Sequence, residues 1–303
     1  MSAALKKIVI VGAGLIGGSF ALALRRAHAV EQIVGIGRSA ASLQRALQLG
    51  LIDAASTALP EALQDADLVL VSVPVAQTEA VLRAAQPHLS AHTVVTDAGS
   101  IKADVVAAAR RALGDRVGQF VPGHPIAGRE VSGPDAAIAD LYVGRKVVLT
   151  PIPENDIAVV ERVAAAWRLT GAEIHHMKPE QHDAVFAAVS HLPHLLSFAM
   201  VNEMVCRPEA DLLLQYAAGG FRDFTRLASS SPEMWRDISL ANQQAILVEL
   251  DAYIAQLGRF RGQLAARDGD AMQAMFSQAQ RARDAWLQRA DANAAQQKTD
   301  EDA

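Results

Sequence analysis

One loop combines a titratable ring with small, turn-forming neighbours: Val121-Pro122-Gly123-His124-Pro125-Ile126-Ala127-Gly128-Arg129-Glu130. It follows an apparent strand end, and its glycines and prolines hold the backbone in turns rather than regular helix. An imidazole on a loop at the carboxyl edge of a sheet can move a proton to or from a ligand lying there. The same His can also do no more than cap a neighbouring backbone group. A second loop, Asp97-Ala98-Gly99-Ser100-Ile101-Lys102, brings a hydroxyl and an ammonium to the same edge. Ser100 can serve a ligand there, act as N-cap of the next helix, or do both. Further on, Ser190-His191-Leu192-Pro193-His194 places two His three residues apart on one side of a helix. No acidic residue with ligand spacing stands beside them, so one core His and one ligand-contacting His are expected, and no metal. Gly219-Gly220-Phe221-Arg222-Asp223-Phe224-Thr225-Arg226 reads as a Gly-led loop. Arg226 suits a carboxylate through a planar two-pronged pair, although a lone loop Arg is commonly only a surface residue.

These residues need elements to hold them. Leu5 to Val11 is apolar enough for a buried parallel strand, and it runs into Gly12-Ala13-Gly14-Leu15-Ile16-Gly17-Gly18-Ser19 and an Ala/Leu-rich helix. Between a strand and a helix, this G-x-G-x-x-G turn reads as a dinucleotide site. Gly12 makes the tight turn, Gly14 admits the pyrophosphate, Gly17 lets helix and strand approach, and the helix start at Leu15 and Ile16 offers free N–H groups. The second strand, Ile33 to Ile36, is followed by Gly37-Arg38-Ser39, where an NAD site usually has Asp or Glu. Arg38 can pair with a 2′-phosphate and Ser39 can donate to it, which favours NADP over NAD. Arg38 can alternatively stack on adenine with either cofactor. Pro74 and Gln77 lie at the carboxyl end of the strand 68–73, where loops facing the cofactor belong. Strands are also expected at 93–96, 120–121, 146–150 and 173–176, with His175 and His176 on opposite faces and structural.

After Lys178-Pro179 the character changes to helices: one from about Glu180 to Cys206 kinked at Pro193, one ended by Gly219-Gly220, one begun by Ser231-Pro232, and long ones over 242–267 and 271–290. Their apolar stripes suit packing together or against a second subunit. The expected organisation is a Rossmann-type α/β domain over 1–178, an all-α domain over 179–290, and a disordered polar tail over 291–303.

With 303 residues and a formal net charge of −5, the chain has room for two cores and lacks the basic stripe that nucleic acid requires. The single Cys206 excludes a disulfide framework within the chain, fits a reducing cytoplasm and is expected to be buried. No stretch before the first strand reads as a signal peptide. The uncharged run from Ala184 to Asn202 is nearly long enough to span a bilayer, but its His191, Pro193 and His194 favour a helix within the fold over a membrane span.

Taken together, the Gly12–Ser19 turn, Asp97–Lys102, Gly123–Gly128, Ser132-Gly133, Ser190–His194 and Gly220–Arg226 resemble, in order, the prephenate/arogenate (cyclohexadienyl) dehydrogenases of tyrosine biosynthesis. The likeness spans roughly residues 5 to 240. It implies a Rossmann domain followed by a helical dimerisation domain, and oxidative decarboxylation of prephenate or arogenate with NAD or NADP. It further implies that His124, helped by Ser100, meets the ring hydroxyl, and that Arg226 binds a substrate carboxylate beside His194. Glu130 and Asp223 would help to order the site, and Trp235 would be a buried aromatic near it. The absence of an acidic residue at Gly37-Arg38-Ser39 departs from many members of the family. Two other readings use the same scaffold. A β-hydroxyacid dehydrogenase would need a catalytic Lys in the helical half, where only Lys178 at the boundary and Lys298 in the tail occur. A non-catalytic dinucleotide sensor would need neither His124 nor Arg226.

Overall fold

A computed structural model of the chain describes residues 5–129 and 131–301. Six parallel strands form the main sheet in the order β3-β2-β1-β4-β5-β6: β1 Leu5–Val11, β2 Val30–Ile36, β3 Ala54–Ser56, β4 Leu68–Val71, β5 Val94–Asp97 and β6 Phe120–Val121. This is the doubly wound order of dinucleotide-binding domains, whose ligands lie outside the carboxyl ends of the strands. A second sheet joins β7 Gly123–Pro125 antiparallel to β8 Lys146–Leu149, which pairs parallel with β9 Glu173–His176. The helices among these strands are α1 Leu15–Arg26, α2 Ala40–Gln48, α3 Leu59–Leu63, α4 Thr78–Ala85, α5 Ala103–Leu113 and α6 Ile157–Arg168. Then follow α7 Pro179–Phe186, α8 Leu192–Val205, α9 Ala210–Gln215, α10 Gly219–Thr225, α11 Pro232–Ala241, α12 Gln243–Ala265 and α13 Gly269–Glu301.

The sheet is buried on both faces, which is why its strands read as unbroken apolar runs. Side chains alternate across a strand, so Ile8 and Ile10 enter one core with Phe20, Leu24, Tyr142 and Trp167. Val9 and Val11 enter the other, with Leu82, Val105, Trp235 and Ile238. Each such side chain contributes roughly 1.5–3 kcal/mol on burial, enough to lock the register of the central strand.

Several elements differ from the sequence reading. By compactness the chain divides into two units, 1–246 and 247–303. Residues 179–246 join the first unit because Trp235 and Ile238 complete one of its cores and Asp183 bonds into it. The expected single helix over 180–206 is two helices joined by a π-turn at Ala187–His191. Pro193 has no N–H to give, and its ring would crowd the carbonyl four residues back, so the turn before it widens. By length and apolar character this 179–205 stretch could cross a membrane, yet it begins with buried His182 and Asp183. Gly219-Gly220 opens α10 instead of closing a helix, so Arg222 and Asp223 are helical and Arg226 starts the 3-10 turn after it. Cys206 is exposed rather than buried, because it lies just past the end of α8. The tail expected to be disordered continues α13 to Glu301, in line with the helix propensity of its Ala and Gln residues.

The glycine turn after β1 is built around close backbone approach. Gly12 has φ +98°, and Ser72 Oγ after β4 donates to its carbonyl at 2.7 Å. A Cβ at Gly17 would press on the Gly12 carbonyl and stand 2.5 Å from Ser72 Oγ, whereas one at Gly14 would meet nothing within 4 Å. Gly17→Ala is therefore expected to destabilise the fold by about 1–3 kcal/mol through overpacking. Gly14→Ala should leave thermal unfolding unchanged while weakening dinucleotide binding, because its methyl enters space that only a ligand would use. Calorimetric unfolding and cofactor titration of both variants separate the two effects, and equal stabilities would contradict this account.

Candidate active site

Asp97 closes β5 and Lys102 lies five residues on, and both are buried, Lys102 with no exposed surface. Their side chains form an ion pair, with Lys102 Nζ 2.6 Å from Asp97 Oδ2. Lys102 Nζ also donates to the Gly123 carbonyl at 2.6 Å, and Asp97 Oδ1 accepts from Gly123 N at 3.0 Å. The residue before His124 is thus held at both its backbone groups. Burial pulls the Lys102 ammonium toward a lower pKa, and the Asp97 carboxylate opposes the shift.

His124, on β7, is partly exposed, and its ring lies 4.9 Å from that of Phe186. Its Nδ1 stands 2.8 Å from Nε2 of fully buried His182, whose own Nδ1 stands 2.8 Å from Asp183 Oδ1. Asp183 is held in turn, with Oδ1 accepting from Lys102 N at 2.7 Å and Oδ2 from Ala103 N at 2.8 Å. These are free donors at the start of α5, where a carboxylate satisfies them and meets the positive end of the helix. Ser100 does not cap α5; Asp183, from a distant part of the chain, does so instead. Burial holds His124 well below the usual His range, and His182, Lys102 and His191 push the same way. Burial also lowers His182, against the pull of Asp183.

A further layer adjoins this cluster. Asn242 Nδ2 donates to the Asp183 carbonyl at 2.9 Å and lies 3.0 Å from His191 Nδ1. Burial brings His191 down to about 4. His194 is partly exposed and stacks on Trp235 with ring centroids 3.7 Å apart, and its Nδ1 lies 2.9 Å from the Ser190 carbonyl. Its pKa is also lowered, chiefly by burial. Ser100 is partly exposed in the loop between Asp97 and Lys102, and its backbone interacts with His191. Arg226 and Asp223 are exposed, and the turn carrying Arg226 packs against α8, the helix of His194. Glu130 lies outside the described residues. His175 and His176 are exposed on β9, and among the described residues no group of three His, Cys, Asp or Glu could hold a metal ion.

The sequence reading missed His182, Asp183, Asn242 and Ser72. An adjacent His-Asp pair opening an otherwise apolar segment was the available signal for the first two. Nothing local marks Asn242 or Ser72.

On the cofactor side, Gly14 is the N-cap of α1 and supplies no side-chain cap, so the helix start keeps free donors for an anion. Leu15 and Ile16 open that helix, and Tyr142 OH donates to the Ile16 carbonyl at 2.6 Å, fixing its first turn. Arg38 is exposed directly after β2, and Ser39 Oγ accepts from Ser42 N at 3.2 Å as N-cap of α2. Exposed Pro74 and partly buried Gln77 bracket the turn beyond β4, with Gln77 N donating to the Pro74 carbonyl at 2.8 Å. The open cradle at Gly14 fits a dinucleotide pyrophosphate.

The sheet order and the open glycine turn define a Rossmann-type dinucleotide-binding protein, with a histidine cluster beyond the strand ends. Two family profiles match it: "Prephenate dehydrogenase, nucleotide-binding domain" over residues 20–176 and "Prephenate dehydrogenase, dimerization domain" over 178–278. A cyclohexadienyl dehydrogenase of Zymomonas mobilis is 37% identical over 282 residues, covering 92% of this chain and 95% of that protein. The crystal structure of the Aquifex aeolicus prephenate dehydrogenase, in complex with hydroxyphenyl propionate and NAD+, aligns with TM-score 0.88 and 36% identity over 93% of this chain and 99% of that one. Synechocystis arogenate dehydrogenase aligns with TM-score 0.78 and 29% identity, covering 92% and 99%. The chain belongs to the prephenate dehydrogenase family.

The buried Lys102–Asp97 pair gives a direct test of how the site is held. Lys102→Met leaves the Asp97 carboxylate buried without its partner, which typically costs about 3–5 kcal/mol. Adding Asp97→Asn should recover part of the loss. Urea unfolding of wild type and both variants reads these differences, and a single variant within about 1 kcal/mol of wild type would remove the pair from the account.

Proposed function

We propose that the chain catalyses the NAD(P)+-dependent oxidative decarboxylation of prephenate to 4-hydroxyphenylpyruvate, of arogenate to tyrosine, or of both. The observation that carries the reading is His124, a neutral imidazole backed by a buried His–Asp pair at the carboxyl edge of a dinucleotide fold. When bound, the nicotinamide cofactor accepts the hydride from the substrate's carbinol carbon. His124 takes the carbinol proton, Ser100 supports the hydroxyl from the neighbouring loop, and Arg226 with His194 binds the substrate at its carboxylate side. Glu130 and Asp223 assist in ordering that end. Carbon dioxide leaves as the ring becomes aromatic, which supplies the driving force, the phenolate oxygen so formed takes the proton back from His124, and no metal is called on.

Gly12, Gly14, Leu15, Ile16 and Gly17 cradle the pyrophosphate, with Pro74 and Gln77 beside the cofactor. Arg38 and Ser39 favour NADP, since no carboxylate after β2 repels a 2′-phosphate. NAD is bound in the Aquifex relative, so the preference is a point on which this chain can differ. The protein works as a cytoplasmic homodimer through its helical part. Exposed Leu240 in the first unit, and Val248, Ile254, Leu257 and Phe276 in the second, supply apolar surface for such contacts.

One spectrophotometric assay crossing prephenate and arogenate with NAD+ and NADP+ tests the activity. His124→Asn should keep KM nearly unchanged and lower kcat by about 10²–10⁴-fold, the usual worth of a general base. Arg226→Ala should chiefly raise KM. Because the pKa of His124 is depressed and the base must be neutral, activity should persist as pH falls below 6.5, with the acid limb of kcat/KM below that value. Comparable kcat for wild type and His124→Asn would refute the assigned base.

The cofactor assignment has its own test. Arg38→Ala should raise KM for NADP+ by at least about tenfold, the value of one lost charge-assisted pair, with little change for NAD+. Equal effects on the two cofactors would assign Arg38 to adenine stacking instead.

A further inference from the structure

We infer that His182 and Asp183 are positioning residues that fix the tautomer of His124, so that its Nδ1 carries the proton and its Nε2 is left free to accept one. The inference rests on the base role proposed for His124 and extends it to the groups behind the ring. Backbone N–H groups only donate, and Lys102 N and Ala103 N between them engage both oxygens of Asp183. Its carboxylate is therefore an acceptor at each oxygen, and the 2.8 Å contact to His182 must be a donation from His182 Nδ1–H. A neutral imidazole has one N–H, so His182 Nε2 presents a lone pair. The 2.8 Å contact between that atom and His124 then places the hydrogen on His124 Nδ1. Nε2 of a neutral His124 is left as the acceptor.

The order would reverse only if His182 became an imidazolium and donated from Nε2. The groups acting on this pair come from several elements: Asp97 from the end of β5, Lys102 from the loop after it, Asp183 next to His182 on α7, and His191 from the π-turn. The carboxylates favour a charged His182, while Lys102 and complete burial disfavour it, and burial is the largest influence. The order of groups is that of an acid–His pair which fixes a catalytic imidazole, extended here by one ring.

The test is two-bond ¹H–¹⁵N correlation NMR on histidine-labelled full-length protein at neutral pH without substrate, with His124→Asn used to assign the signals. Wild type should show His124 as the Nδ1–H tautomer. His182→Leu removes the acceptor and should shift His124 toward the Nε2–H form that a free side chain prefers. In that variant kcat should fall by about 10²–10⁴-fold, with KM within about twofold of wild type, as when an imidazole is held in the wrong tautomer. His182→Gln, whose amide oxygen can accept from Nδ1–H, should restore the wild-type tautomer and much of kcat. An Nε2–H tautomer in wild type overturns the inference even if no variant folds, and so does a Leu variant with unchanged tautomer and kcat. The spectra need no turnover, so the expected tautomer in a protein that oxidises neither substrate would overturn the proposed activity and leave this inference standing.

Discussion

The carboxylate of Asp183 is the constraint on which the rest of the site depends. It sits almost wholly out of water, where an ionised group is costly unless each lone pair finds a donor. Two backbone donors at the start of α5 and one imidazole N–H meet that demand. Those donors belong to different parts of the chain, so satisfying one anion ties the first helix after residue 178 to the edge of the parallel sheet. The carbonyl of the same residue accepts from Asn242, which draws in the segment following α11. Residues 179–246 join the sheet as one unit because polar groups in both need each other, and not only because apolar surfaces meet.

The Lys102–Asp97 pair acts differently. A buried ion pair adds little net stability compared with an apolar replacement, because desolvation offsets most of the attraction. Its worth here is positional. Between them the two side chains bond both backbone groups of Gly123, one residue before the imidazole. A buried polar network has few alternative arrangements, so the start of β7 is held by these side chains as well as by its pairing with β8. The other side of the His124 ring is bounded by His182 and Phe186 from α7, so sheet and helix confine it together.

What the sequence disclosed follows the range of the interactions. The strand, glycine turn and helix at residues 5–26 were readable because neighbours in sequence determine them. Ser100 and Lys102 were readable as polar groups in a loop after a strand, whereas His124, read as a loop residue, lies on the short strand β7. Asp183 as a helix cap was not, since it acts across 81 residues on donors whose own loop already contains a plausible local cap in Ser100. Gly219-Gly220 misled because glycine can precede a helix as well as end one. Cys206 misled because its apolar neighbours lie on a helix end that faces out. The three-residue β3 and the small sheet around β7 carry too few residues for periodicity to register.

The π-turn shows how a local irregularity can serve the same network. In a regular α-helix each residue advances about 100°, so positions nine apart, such as His182 and His191, would point roughly 180° apart. One of the two would then be turned away from the sheet. The wider turn at 187–191 advances less per residue and brings His191 round toward the side that His182 occupies. Both rings are buried, and Asn242 spans from the Asp183 carbonyl to His191 Nδ1. Pro193 makes the irregularity inexpensive, because a regular turn there would already lack one hydrogen bond and clash with its ring. A proline that reads as a simple kink thus follows a turn around which two distant histidines are buried in one network.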